Sequence, residues 1–128
     1  MKYYISKTIK TDFDQAVQRI TESLKNEGFG ILTEINLHEK LKEKLNVDFR
    51  KYKILGACNP SFAYKALLLE DKIGTMLPCS IVVQELDNHE IEVAVVDPLA
   101  SMMAIENVDL VEIALEIKEK LARAISAL

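Results

Sequence analysis

The side chains of this 128-residue chain that could do chemistry gather around one stretch, Tyr52-Lys53-Ile54-Leu55-Gly56-Ala57-Cys58-Asn59-Pro60. It ends a strand-like run on a thiol and starts a helix at once, since Asn is a favoured N-cap and Pro is pre-organised for the first helical position. A sulfur placed there lies close to the unpaired amides of the first turn, which favours its thiolate. The second cysteine, Cys79, follows Leu77-Pro78 at the head of another alternating run. If the two runs pair antiparallel, both thiols reach the same edge of the sheet, and Cys58 with Cys79 as resolving partner could handle redox equivalents or sulfur. The competing reading is that free Cys behaves as a small buried hydrophobe.

Glu34 stands mid-strand on the face opposite Ile31 and Ile35, where a carboxylate is either exposed, paired, or the polar anchor of a ligand pocket. Asn59 carries an amide that could bind a ligand, although a cap role already accounts for it; Asp97 is a cap on the same argument. The candidate ligand-binding set is therefore Glu34, Cys58, Asn59 and Cys79. His38 in a charged helix and His89 in a turn read as solvated. Two thiols could hold a soft ion, but there is no Cys-x-x-Cys and no His at ligand spacing, so no metal site and no cofactor are expected. There is no Ser-His-Asp set, phosphate loop or paired-carboxylate motif, which leans the reading away from an enzyme and leaves no catalytic residue to name.

The elements that must position these groups follow from periodicity. Residues 2–9 read as a strand. Asp12 with Gln15 opens a helix whose Phe13, Ala16, Val17, Ile20 and Leu24 recur at helical spacing up to Gly28. Phe29 to Leu37 alternates as a second strand. A short helix follows, with Leu37, Leu41 and Leu45 on one side and Asn36 and Glu39 as a cap pair. Lys51 to Cys58 is the third strand. Asn59-Pro60 opens a helix packed down by Ala63, Ala66, Leu67 and Leu68 and ended at Asp71 to Gly74. Cys79 to Gln84 and Ile91 to Val96 are strands four and five, joined by a turn at Asp87-Asn88-His89 in which Asn supplies the left-handed residue. Asp97-Pro98 starts a segment carrying Met102 and Met103. Asn107 to Asp109 then interrupts or re-caps that segment, and a long helix follows with the stripe Leu110, Ala114, Ile117, Leu121, Ile125 and Leu128, flanked by Val111, Leu115 and Ala122.

This order implies one domain over 1–128, an α+β fold with the large helices on one face of a mostly antiparallel sheet of about five strands. The other face would present Leu32, Leu55, Val82, Ala94 and Val96, or the alternate set if the register is off by one. Either leaves more apolar surface than free exposure allows, so a second copy is expected to cover it. With 49% hydrophobic and 28% charged residues and few Gly or Pro, order is expected almost end to end. A net charge of −4 speaks against a nucleic-acid partner. Charges at Lys2, Lys7 and Lys10 interrupt any apolar leader, and no run is long enough to span a bilayer, so a cytoplasmic protein without a membrane partner is expected.

Several blocks together resemble a known family: Gly28-Phe29-Gly30-Ile31-Leu32-Thr33-Glu34-Ile35, Leu41 to Leu45, Ile54-Leu55-Gly56-Ala57-Cys58-Asn59-Pro60, Met76-Leu77-Pro78-Cys79, Glu92-Val93-Ala94 and Asp97-Pro98. They resemble the widespread prokaryotic family catalogued as domain of unknown function 302 over nearly the whole chain. The resemblance implies a β-α-β4-α fold similar to half of the TATA-binding protein, seen as homodimers, and implies no agreed activity. Kinship with a DNA-binding saddle is an analogy of fold, and function is argued from the site. Three readings follow: a homodimeric module binding or sensing a small molecule or partner near Cys58 to Pro60, a thiol protein using Cys58 and Cys79, and a structural interaction domain whose cysteines are core.

Overall fold

The computed structural model describes residues 2–128. Strand β1 (Tyr4–Ile9) leads into helix α1 (Phe13–Asn26), where the Asp12 carboxylate accepts from the Gln15 amide at 2.7 Å. Gly28 closes the helix at φ 88°, a conformation that costs Gly little. The chain has by then crossed from one edge of the sheet to the other. It returns as a meander through β2 (Gly30–Asn36), β3 (Tyr52–Cys58), β4 (Cys79–Glu85) and β5 (Ile91–Val96), and β5 pairs with β1. The result is a fully antiparallel sheet in the order β1-β5-β4-β3-β2. Helix α2 (Leu37–Leu45) sits between β2 and β3, and α3 (Pro60–Leu69) between β3 and β4. The short α4 (Pro98–Ser101) and the long α5 (Val108–Ser126) follow β5.

Pleating decides which side chains meet the helices. Leu55 pairs with Ile81, Val83 with Val93, Ile81 with Val95, and Ile9 with Ile91. All of these are buried against Ala16, Ile20 and Leu24 of α1 and Ile117, Leu121 and Ile125 of α5. The opposite side carries Tyr4, Tyr52, Ile54, Val82, Ala94 and Val96, half-buried at most. Leu55 thus belongs to the core, not to the second face, and Ile54 takes its place there. A bulge in β2 causes a further correction. Its register to β3 shifts between Ile31 and Thr33, so Ile31 pairs with Ala57 on the helix side while Thr33 and Ile35 pair with Gly56 and Ile54 on the open side. Glu34, opposite Leu55, therefore shares a side with Ile31 and opposes only Ile35.

Three local expectations also change. Helix α3 ends at Leu69 and a 3-10 helix, Asp71–Met76, carries the chain on to β4; Ile73 is buried there, but Leu67 and Leu68 are exposed. Asn36 makes no side-chain cap bond to α2, which buries no residue of its own. In the β4–β5 turn the left-handed residue is His89, at φ 64°, not Asn88, whose side chain instead binds Glu90. Asp97 and Asn107 cap as expected, accepting from Leu99 N at 2.9 Å and Asp109 N at 3.1 Å.

Candidate functional site

Strands β3 and β4 pair as antiparallel neighbours with Ala57 opposite Cys79, so the two cysteines do come to one edge of the sheet. There α3 and α5 lean over the strand ends and leave a crevice of about 30 Å³, lined among others by Phe29, Cys58, Asn59, Phe62, Cys79 and Met102. Its walls are almost wholly apolar. That volume holds little more than a water molecule. Cys79 lies inside and Cys58, half-exposed, stands one residue out of phase with the Ala57–Cys79 pair.

Burial raises the Cys58 thiol above its ordinary value. Burial first, and the nearby Cys58 charge second, push Cys79 up to about 11. The expected depression of Cys58 by the start of α3 is not what the structure gives, because loss of water around the sulfur acts in the opposite direction. Asn59 does not spend its side chain on a cap either. Its Nδ2 donates to the Glu27 carbonyl at 3.4 Å, tying the β3–α3 corner to the end of α1, and its Oδ1 accepts from the Ser61 hydroxyl at 3.2 Å. A Cβ on Gly28 would stand 3.0 Å from that Nδ2, so Gly28 serves both the turn and the tether.

Gly56 has a separate reason. A Cβ there would collide with the Thr33 hydroxyl and the Pro78 ring, which close over the strand from the open side. Much of the Gly-Ala-Cys-Asn-Pro block is thereby accounted for by packing: Gly56 by close approach, fully buried Ala57 by the core, Asn59 by the tether and Pro60 by the helix start.

Glu34 does not join this group. It is exposed on edge strand β2, opposite Leu55 and three positions along the ladder from Cys58, outside the crevice lining. Asp97 is buried and meets Lys118 of α5 at 3.0 Å, so it caps α4 and ties it to α5. His38 is not a solvated helix residue. Its Nδ1 accepts from the Tyr52 amide at 2.9 Å and its ring stands edge-on to Phe13. Among the described residues no three His, Cys, Asp or Glu side chains gather closely enough to share a metal ion.

A concavity roomier than this crevice lies on the open side of the sheet. A trough of about 400 Å³ has Ser80, Val82 and Ala94 as its floor and Tyr4 and Tyr52 as its walls. At one end a polar ladder crosses the strands: Arg50 donates to Gln84 Oε1 at 2.8 Å, and Gln84 Nε2 donates to Glu92 at 2.8 Å. The second face expected from the sequence already held Val82 and Ala94, but the tyrosine walls, Ser80 and the Arg50-Gln84-Glu92 ladder went unremarked because each is ordinary by itself. The signal was their shared parity on β1, β3, β4 and β5, which only the register brings together.

Fold and site define an α+β protein with helices on one side of a five-stranded antiparallel sheet and an open apolar trough on the other. The family model described as Domain of unknown function DUF302 matches residues 5–128, and the chain belongs to that family. The crystal structure of an uncharacterized conserved protein DUF302 from Bacillus stearothermophilus is similar throughout, with TM-score 0.92 and 30% identity over 99% of this chain and 98% of that one. No curated protein matches the chain. Among the described residues no helix is long and apolar enough to cross a membrane.

Proposed function

We propose that the protein is a non-enzymatic binding module that works as a homodimer through the open face of its sheet, with the trough as the ligand chamber. One observation carries the reading: Tyr4, Tyr52, Ile54, Val82, Ala94 and Val96 form a continuous apolar face that the helices leave uncovered. Tyr4 and Tyr52 stand three strands apart, roughly 14 Å at the usual spacing, over a floor of smaller residues. Two such faces can stack about a twofold axis with their tyrosine walls meeting at the rims, so that the two troughs close into one chamber. The Arg50-Gln84-Glu92 ladder compensates its own charge, so no bare charge of one sign is pressed against its mate. The homodimers implied by the family resemblance agree with this. Size moves the ligand site away from the Cys58 turn, since small-molecule pockets usually measure a few hundred Å³.

Sedimentation equilibrium tests the dimer. The wild type is expected to be dimeric at micromolar concentration, and Val82→Glu monomeric with an unchanged circular dichroism spectrum. A wild-type monomer overturns the reading. Three of the four tyrosines line the trough and the chain has no Trp, so tyrosine fluorescence reports ligand occupancy directly.

A further inference from the structure

A second surface, on the helical layer, is independent of the open sheet face. Helix α5 carries two parallel exposed stripes of the same helical spacing: Val108, Val111 and Leu115, and beside them Asp109, Glu112 and Glu116. Val108 is 81% exposed, Val111 47% and Leu115 45%, in a helix whose opposite side is packed into the core. Next to the apolar stripe runs a groove of about 340 Å³, floored by Leu110 and Ala114 and flanked by Leu99, Met102, Met103 and Ile105. Met103 is 70% exposed. Methionine side chains suit a surface that re-packs around a guest.

The acidic stripe is uncompensated from within. Among the described residues Glu106, Asp109, Glu112 and Glu116 have no cation at salt-bridge distance. The cations of α5 are engaged elsewhere: Lys118 with Asp97 and Arg123 with Glu27, both at 3.0 Å, and Lys120 over the Phe62 ring. We infer that this groove docks a cationic amphipathic helix of another protein, its Leu, Ile or Phe residues at i, i+3 and i+7 lying on Val108, Val111 and Leu115 and its Lys or Arg flank on Asp109, Glu112 and Glu116. An anionic bilayer is repelled by the same carboxylates. The α5 of a second copy offers little to them, because its own cations are already engaged.

The test uses the full chain labelled at its methionine methyls, of which Met102 and Met103 flank the groove and Met76 does not. The probe is a synthetic 18-residue Leu/Lys peptide (roughly five helical turns), with a scrambled peptide of the same composition as control. Saturable shifts of Met102 and Met103 are expected with the amphipathic peptide only. Binding should weaken about tenfold in Glu112→Lys/Glu116→Lys, whose exposed positions leave the fold intact by thermal unfolding, and should weaken as salt rises. Equal shifts with the scrambled peptide, or affinity indifferent to charge reversal, overturn the inference. So does a Met103 shift on diluting the protein alone, which would assign the groove to a second copy, or one produced by phosphatidylglycerol vesicles, which would assign it to a membrane.

Discussion

At the scale of single residues the two thiols separate by burial. Cys79 ionises near the ordinary 9.0 in the unfolded chain but only at about 11 when folded. Between those values the unfolded chain has released a proton that the native chain keeps, so the Cys79 contribution is fully present below about pH 9 and is lost as pH rises toward 11. One unit of pH in that window is worth about 1.4 kcal/mol. Cys79→Ala should be the less stable protein at pH 8, through lost packing. The gap should narrow by roughly 1 kcal/mol by pH 10 in urea unfolding under reducing conditions. A gap that stays constant would show that the thiol is not sealed in. Iodoacetamide should modify Cys58 first and reach Cys79 only as the protein unfolds. Neither thiol is poised by a depressed pKa, which leaves the redox reading supported by proximity alone.

Elements show where a single side chain holds a whole segment. Helix α2 buries no residue fully, and its side-chain hydrogen bond to the sheet is made by the His38 Nδ1, which accepts from the Tyr52 amide. Removing that acceptor leaves a half-buried N–H unpaired, at a cost of about 1–3 kcal/mol. His38→Ala should therefore speed hydrogen exchange at the Tyr52 amide far more than at Leu55 or Ile81 in the core; unchanged exchange at Tyr52 would mean that α2 is held by something else. The sequence made the element order and nearly every boundary readable, because strands with period two and helices with period 3.6 are separated by Asp12, Gly28, Pro60, Pro78 and Pro98. It misplaced Glu34 relative to Ile31 and put Leu55 on the wrong face. A bulge is one extra residue without a compositional mark, and an apolar run such as Ile54-Leu55 has no alternation to choose a side. The roles of Asn59 and His38 were hidden for another reason: their partners lie 32 and 14 residues away in the chain.

For the molecule as a whole, the arrangement of charge matters more than the shape of the sheet. The family resemblance implies kinship with a DNA-binding saddle, and the open sheet face is the surface that such an analogy would press against a duplex. That face is floored by Ser80, Val82 and Ala94, its carboxylate is Glu92, and the cations at its rims are Lys2 over the Tyr4 ring and Arg50 bonded to Gln84. Affinity for a duplex grows with the number of phosphates neutralised, and two engaged cations around an apolar floor neutralise few. The lysines of α2 are no substitute, being interleaved with Glu39 and Glu43 and paired in part with Glu43 and Asp48. A net charge of −4 adds long-range repulsion to this local deficit. We therefore expect no preference for duplex DNA or RNA over a simple polyanion at physiological salt, in a gel-shift or anisotropy titration. Sub-micromolar, sequence-dependent binding would contradict both this expectation and the dimer, since the same face cannot hold a second copy and a duplex at once.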